Sequence, residues 1–130
     1  MEKIEVAGVH YVKAVEVESL ASKSSRAFTI DLGEQGGCDG FIVREEGGAL
    51  RAYKNSCPHT GAPLNWTPDQ FLTISGQYIQ CSIHGAMFKT QNGECFAGPC
   101  GGKFLKALSF VEKNGIAYLA LQEIQKNPSI

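Results

Sequence analysis

The stretches of sequence that decide the fold are Cys57-Pro58-His59-Thr60-Gly61-Ala62-Pro63-Leu64 and Cys81-Ser82-Ile83-His84-Gly85-Ala86. Each stretch pairs one thiol with one imidazole, with one residue between the pair in the first and two residues in the second. Turn-forming residues bracket both, with Pro58, Gly61 and Pro63 around the first pair and Gly76 and Gly85 around the second, which predicts tight turns around the four side chains. Two short loops that each offer one sulfur and one nitrogen indicate a centre with two unlike metal positions.

A mononuclear zinc site is the main alternative reading of these four residues. Zinc accepts two thiolates and two imidazoles, but structural zinc sites usually pair cysteine with cysteine and histidine with histidine in their short motifs. Here each motif mixes the two ligand types, and the short Cys57–His59 spacing strains two ligands of a single tetrahedral ion. A chance arrangement without any metal is the other alternative. The mixed motifs favour a binuclear centre over both.

With Gly93 and Gly98-Pro99 downstream, the two stretches resemble the Rieske iron–sulfur family, in which two histidines replace two cysteines on one iron of a [2Fe–2S] cluster. The resemblance in motif covers about residues 53–102. The chain departs from the family most in the segment 66–76, which carries extra length. Trp66 and Phe71 in this segment are expected to pack beneath it, with a role in lining a docking surface as the alternative.

The resemblance implies a ligand set for one [2Fe–2S] cluster. Cys57 and Cys81 would hold the buried iron, and His59 and His84 would hold the outer iron. The loop at Gly98-Pro99 would cover the cluster. Five residues apart around that loop, Cys95 and Cys100 are expected to be reduced structural thiols, with a disulfide or redox switch as the alternative, and Cys38 has no assigned role.

The flanking segments predict an all-β fold: a Rieske-type antiparallel β-sandwich with a small inserted cluster-binding subdomain. The chain of 130 residues is long enough for one domain. We expect the β scaffold at about 1–54 and 103–124, and the cluster-binding subdomain at about 55–102. Strands are predicted at 28–32, 41–43 and 49–53, and at 104–111 and 116–121 around an Asn114-Gly115 hairpin turn. The only helical candidate, 15–21, is interpreted as a connecting turn.

Charge and composition exclude several partners. The net charge is −1, which gives no argument for nucleic acid, and no apolar run is long enough to span a membrane. Residues 51–106 carry five basic against two acidic side chains, a weak preference for an acidic partner surface. The N-terminus does not resemble an export signal, so a cytoplasmic location is expected, where cysteines are more often ligands or free thiols than disulfides.

The implied function is one-electron transfer by a protein without substrate chemistry of its own. A flavoprotein reductase would supply the electron, and an acceptor oxygenase or reductase would receive it. High-potential members of the family carry a loop disulfide and hydroxyl donors, whereas the matching positions here are Ala62, Ile83, Ala86 and Phe88. The resemblance therefore implies a midpoint potential at the low end of the Rieske range. A small accessory subunit like that of nitrite reductase and a redox-sensing binding module are the alternative functions.

Overall fold

The computed structural model describes residues 2–58, 60–82 and 85–125. Within these residues, ten strands form three sheets in which every strand pairing is antiparallel. The strands are β1 (Lys3–Val6), β2 (Val9–Glu16), β3 (Ser24–Asp31), β4 (Gly37–Arg44), β5 (Leu50–Lys54), β6 (Tyr78–Gln80), β7 (Met87–Lys89), β8 (Cys95–Ala97), β9 (Phe110–Lys113) and β10 (Ile116–Ala120). The predicted all-β class with antiparallel sheets is confirmed.

One four-stranded sheet joins the two ends of the chain, in the order β1-β2-β10-β9. The predicted Asn-Gly hairpin turn lies between β9 and β10, where Asn114 and Gly115 have φ of 54° and 76°. Both values fit a turn that needs two left-handed residues, which is why Asn-Gly favours it. The β1–β2 hairpin was not predicted, and it turns at Ala7 and Gly8 with φ of 52° and 82°.

The sheet β3-β4-β5 separates two hydrophobic cores, because successive residues of a strand face opposite sides. On β4, Phe41 and Val43 belong to one core, and Ile42 between them belongs to the other. On β5, Tyr53 and Ala52 divide in the same way. This sheet is therefore a middle layer between the four-stranded sheet and the part of the chain that carries the cysteine–histidine motifs.

The third sheet, β6-β7-β8, supports the second motif. β6 ends at Gln80, directly before Cys81, and β7 begins at Met87, directly after Ala86. The second motif is thus the loop of a β-hairpin, while the first motif follows the end of β5 at Lys54. The second motif thus starts directly at the end of a strand, and Asn55 and Ser56 separate the first motif from the end of β5.

One predicted strand was wrong in extent, and one short helix was not predicted. The strand predicted at 104–111 begins only at Phe110, and Phe104 and Ala107 make isolated bridges before it. The segment 15–21 is the end of β2 followed by a turn, as its interpretation as a connection required. A short helix, α1 (Leu121–Ile124), begins where the last strand was expected to end. Over the described ranges, no helix has the length and apolar character needed to cross a bilayer.

Candidate metal centre

The first motif is a closed turn that buries its cysteine. The amide of Cys57 donates to the carbonyl of Ala62 over 2.8 Å, and the amide of Gly61 donates back to the carbonyl of Cys57 over 2.6 Å. Gly61 has φ +80°, which lets the chain reverse here with little strain. Cys57 is 1% exposed. The turn therefore holds a thiol in the interior, while Thr60 and Gly61 are exposed.

The second motif repeats the same backbone pattern. The amide of Cys81 donates to the carbonyl of Ala86 over 2.8 Å, and the amide of Gly85 donates to the carbonyl of Cys81 over 2.9 Å. Gly85 has φ +70°, and Cys81 is fully buried. In each loop the cysteine bonds to the fifth residue after it and receives a bond from the fourth. The chain has thus built one kind of turn twice, each with a buried thiol at its first residue.

A direct hydrogen bond ties the two turns together. The amide of Ser82 donates to the carbonyl of Leu64 over 2.7 Å, and the amide of Leu64 donates to Asn55 Oδ1 over 2.8 Å. Leu64 is fully buried in the core that also contains Cys57 and Cys81. The two candidate sulfur ligands consequently share one interior region, as a common metal centre requires.

The two predicted nitrogen ligands, His59 and His84, lie outside the described residues, as does Ile83. Across the ranges 2–58, 60–82 and 85–125, no three or more His, Cys, Asp or Glu side chains are grouped to hold one ion. The described part of the site is therefore the sulfur half. Two buried thiols at the starts of neighbouring turns fit the inner-iron ligands of a [2Fe–2S] cluster with mixed ligands.

The predicted covering loop at Gly98-Pro99 packs against the second motif. A Cβ on Gly98 would lie 2.7 Å from Ala86 Cα, so only glycine permits this approach. The residues on either side of this loop bring two further thiols together, with Cys100 Sγ 2.6 Å from Cys95 Sγ. Burial, with the hydrogen bond to Cys95 as the next cause, raises the pKa of the Cys100 thiol. Both thiols are about 1% exposed and lie in the core shared with Cys57 and Cys81.

The expectation for the longer loop was right for Phe71 and wrong for Trp66. Phe71 is fully buried and stacks on Phe41, with ring centroids 4.2 Å apart. Trp66 is 76% exposed, and its indole Nε1 donates to the carbonyl of Ser82 over 3.0 Å. That bond holds a large aromatic ring at the surface beside the second motif. No pattern in the sequence distinguished the two aromatic residues.

Two positions at which a hydroxyl group could donate a hydrogen bond to the candidate centre carry apolar side chains. Ala86 and Phe88 are both fully buried and offer no hydroxyl group. Lys89, on the sheet that supports the second motif, is paired with an acidic side chain, since its Nζ lies 3.4 Å from Glu94 Oε1. Lys54 and Lys106 line an open cleft of about 820 Å³ that reaches Gly61 and Pro63 of the first motif. The sequence did not indicate this cleft.

Known proteins share both the sequence pattern and the fold. Residues 10–115 match the Rieske [2Fe-2S] domain. A stretch of 61 residues is 39% identical to the cytochrome b6-f complex iron-sulfur subunit of Chlorobaculum thiosulfatiphilum, covering 47% of this chain and 30% of that relative. The chain therefore spans less than a third of the length of this curated relative.

Solved structures with the same fold include two ferredoxins. The ferredoxin of carbazole 1,9a-dioxygenase from Nocardioides aromaticivorans superposes with a TM-score of 0.64 at 24% identity, covering 85% of this chain and 96% of that one. A Sphingomonas yanoikuyae ferredoxin gives a TM-score of 0.65 at 19% identity, covering 85% and 97%. At these identities the likeness is one of fold.

The family match spans most of the chain and includes both cysteine–histidine motifs. It agrees with the two buried thiols at the starts of two equivalent turns and with the expected [2Fe–2S] cofactor. The chain belongs to the Rieske [2Fe-2S] domain family.

Proposed function

We propose that this protein is a one-electron carrier whose [2Fe–2S] cluster is held by Cys57, His59, Cys81 and His84. The observation that carries the proposal is the pair of equivalent hydrogen-bonded turns, each with a buried cysteine at its first residue. A cluster bound at that pair supplies reversible one-electron redox chemistry. The division into a β scaffold and a cluster-binding part at about 55–102 is kept as part of this proposal.

The residues of the chain contribute position, charge and exclusion of water. The turn hydrogen bonds position the two cysteines at the first residues of their loops. Burial of Cys57 and Cys81 keeps water away from the thiolates. Two thiolates bring an oxidised cluster of two ferric ions and two sulfides to neutrality, which favours uptake of an electron compared with four thiolates.

We propose a flavoprotein reductase as the electron donor and an oxygenase as the acceptor, with no substrate chemistry in this chain. The fold likeness to the carbazole 1,9a-dioxygenase ferredoxin supports this role. So does the likeness to a ferredoxin solved in complex with its oxygenase, with a TM-score of 0.63, 21% identity and coverage of 89% of this chain and 95% of that one. Trp66 beside the second motif supplies an aromatic ring at the surface where such a partner would meet the outer iron.

A second candidate is the iron–sulfur subunit of a complex like cytochrome b6-f, which the 39% identity over 61 residues favours. The two candidates differ in redox potential. Rieske centres span roughly −150 to +300 mV. The buried Ala86 and Phe88 supply no hydroxyl donor, so the extra electron is less stabilised, and we expect a value at the low end. A midpoint well above zero would favour the second candidate.

The test is spectroscopic. Protein purified without oxygen should give visible absorbance and, after dithionite, an EPR signal of low average g that reports mixed nitrogen and sulfur ligation. Cys57→Ser and Cys81→Ser should lose both signals. Cys38→Ser is the matched control, because this partly exposed cysteine on β4 lies outside the proposed ligand set, and the variant should keep both. Full cluster content in Cys57→Ser, or a colourless zinc-loaded protein, would overturn the proposal.

A further inference from the structure

The strongest feature that the proposed function does not use is the thiol pair Cys95 and Cys100. Cys100 Sγ lies 2.6 Å from Cys95 Sγ, and both residues are 1% exposed. A disulfide bond is about 2.05 Å long, so the two sulfurs need to move by only about half an ångström. Neither cysteine belongs to the proposed ligand set.

The backbone already holds the two cysteines in this relation. The amide of Cys95 donates to the carbonyl of Lys103 over 2.8 Å, and the amide of Lys103 donates to the carbonyl of Cys100 over 2.9 Å. The amide of Gly102 also donates to the carbonyl of Cys95, over 3.2 Å. Lys103 thus bonds to both cysteines and closes the turn between them. These bonds keep the two cysteines close to each other, which disulfide formation requires.

The segment between the two cysteines touches the second motif. Gly98 lies against Ala86, whose carbonyl accepts the amide of Cys81. A bond between Cys95 and Cys100 would close a short loop around Gly98 and limit its movement away from Ala86. The chemical state of the thiol pair therefore acts on the packing of a turn that holds a proposed cluster ligand.

We propose that Cys95 and Cys100 form a reversible disulfide that fixes this loop over the second motif, with a low-molecular-weight disulfide of the glutathione class as the oxidant. Because both thiols are buried, the exchange takes place when the loop opens locally. One protein thiolate then attacks a sulfur of the oxidant and releases one small thiol, and the other protein thiolate displaces the second small thiol. The protein loses two electrons and two protons, and the oxidant becomes two thiols. Oxidation also removes the sulfur donors of the Cys100–Cys95 and Cys95–Ala97 hydrogen bonds.

The experiment uses the full, cluster-loaded chain, equilibrated without oxygen at a series of reduced-to-oxidised glutathione ratios. After acid quenching, free thiols are alkylated and peptides are mapped by mass spectrometry. We expect a linked Cys95–Cys100 peptide whose fraction rises with the oxidised share and returns to zero with dithiothreitol. Cys95→Ser and Cys100→Ser should abolish it, and Cys38→Ser should leave it unchanged.

Two results would overturn the inference: both cysteines fully alkylated at the most oxidising ratio, or only mixed disulfides with glutathione. The second readout is the rate at which an iron chelator bleaches the visible absorbance. The oxidised protein should bleach several-fold more slowly than the reduced protein, and equal rates would refute the fixing of the loop. Thiol mapping requires no electron transfer, so failure of the proposed function leaves this test intact.

Discussion

Replacing Gly98 with alanine tests the contact between the covering loop and the second motif. Gly98 has φ +94°, and an added Cβ would lie 2.7 Å from Ala86 Cα and 3.1 Å from Ala86 Cβ. The nearest atom is backbone, so no side-chain rotation relieves the overlap, and the two loops must separate. Because the Ala86 carbonyl accepts the amide of Cys81, the displacement reaches a proposed ligand.

The expected loss of stability for Gly98→Ala has two parts. A left-handed alanine costs about 1–2 kcal/mol, and overpacking against a fixed neighbour costs about 1–3 kcal/mol, which together give about 2–5 kcal/mol. Gly102→Ala isolates the first part, because Gly102 has φ +85° with nothing within 4 Å of its added Cβ. Gly101→Ala carries neither part, since its nearest neighbour is 4.0 Å away, and should change stability by less than about 0.5 kcal/mol.

The assay is urea unfolding of the three cluster-loaded variants beside the parent protein, without oxygen, followed by circular dichroism and by visible absorbance. Differences in midpoint multiplied by the common slope give the relative free energies. Gly98→Ala should unfold first and lose visible absorbance most readily. If Gly98→Ala and Gly102→Ala were equally destabilised, the contact with Ala86 would contribute nothing and the reasoning would be wrong.

Three further predictions follow from the described contacts and the proposed ligands. Burial raises the pKa of Tyr53 from 10.0 to about 12, so between these pH values the folded state keeps a proton that the unfolded state loses. The raised pKa contributes up to about 2–3 kcal/mol to the free energy of unfolding. This contribution is complete below pH 10 and should disappear as the pH rises to 12. Tyr53→Phe should remove this part of the pH dependence in urea titrations at several pH values, and an unchanged profile would contradict it. Trp66 is the one tryptophan, and its indole bonds to the residue after Cys81, which places it beside a proposed ligand. Removing the cluster with a chelator should therefore increase tryptophan fluorescence, and constant emission would place the cluster elsewhere. His59→Cys should lower the midpoint potential or lose the cluster, since it adds a negative charge, and an unchanged midpoint in a redox titration would contradict the ligand assignment.

The glycines near the two motifs predicted the turns there, whereas the bounds of the flanking strands were predicted less accurately. Gly61 and Gly85 each stand four residues after a cysteine, and this equal spacing underlies the repeated turn. This equal spacing could have predicted that the two turns are alike, but the two glycines were used only to predict tight turns near the motifs. The Asn114-Gly115 turn was predicted because both residues tolerate left-handed backbone.

Other features depend on contacts between distant parts of the chain, which local patterns do not encode. The bond from Ser82 to Leu64 joins the two motifs, and the same segment leaves Trp66 exposed while Phe71 is buried. The strand predicted at 104–111 was too long. The apolar residues at its start make only isolated bridges and pack into the core, without continuous strand pairing. The roles of His59 and His84, the low potential and the cytoplasmic location stay predictions.

The middle sheet has a consequence for how this protein tolerates change. Phe41 and Ile42 are adjacent on β4, yet they pack into different cores, so substitutions on one face of the sheet do not have to be matched by substitutions on the other. A redox module from another relative is therefore best grafted by exchanging the residues that meet Phe41, Val43 and Tyr53, with the Ile42 side left intact. The core that holds the two proposed sulfur ligands can therefore be redesigned while the packing of the other core is kept, with a single pleated layer as the boundary between them.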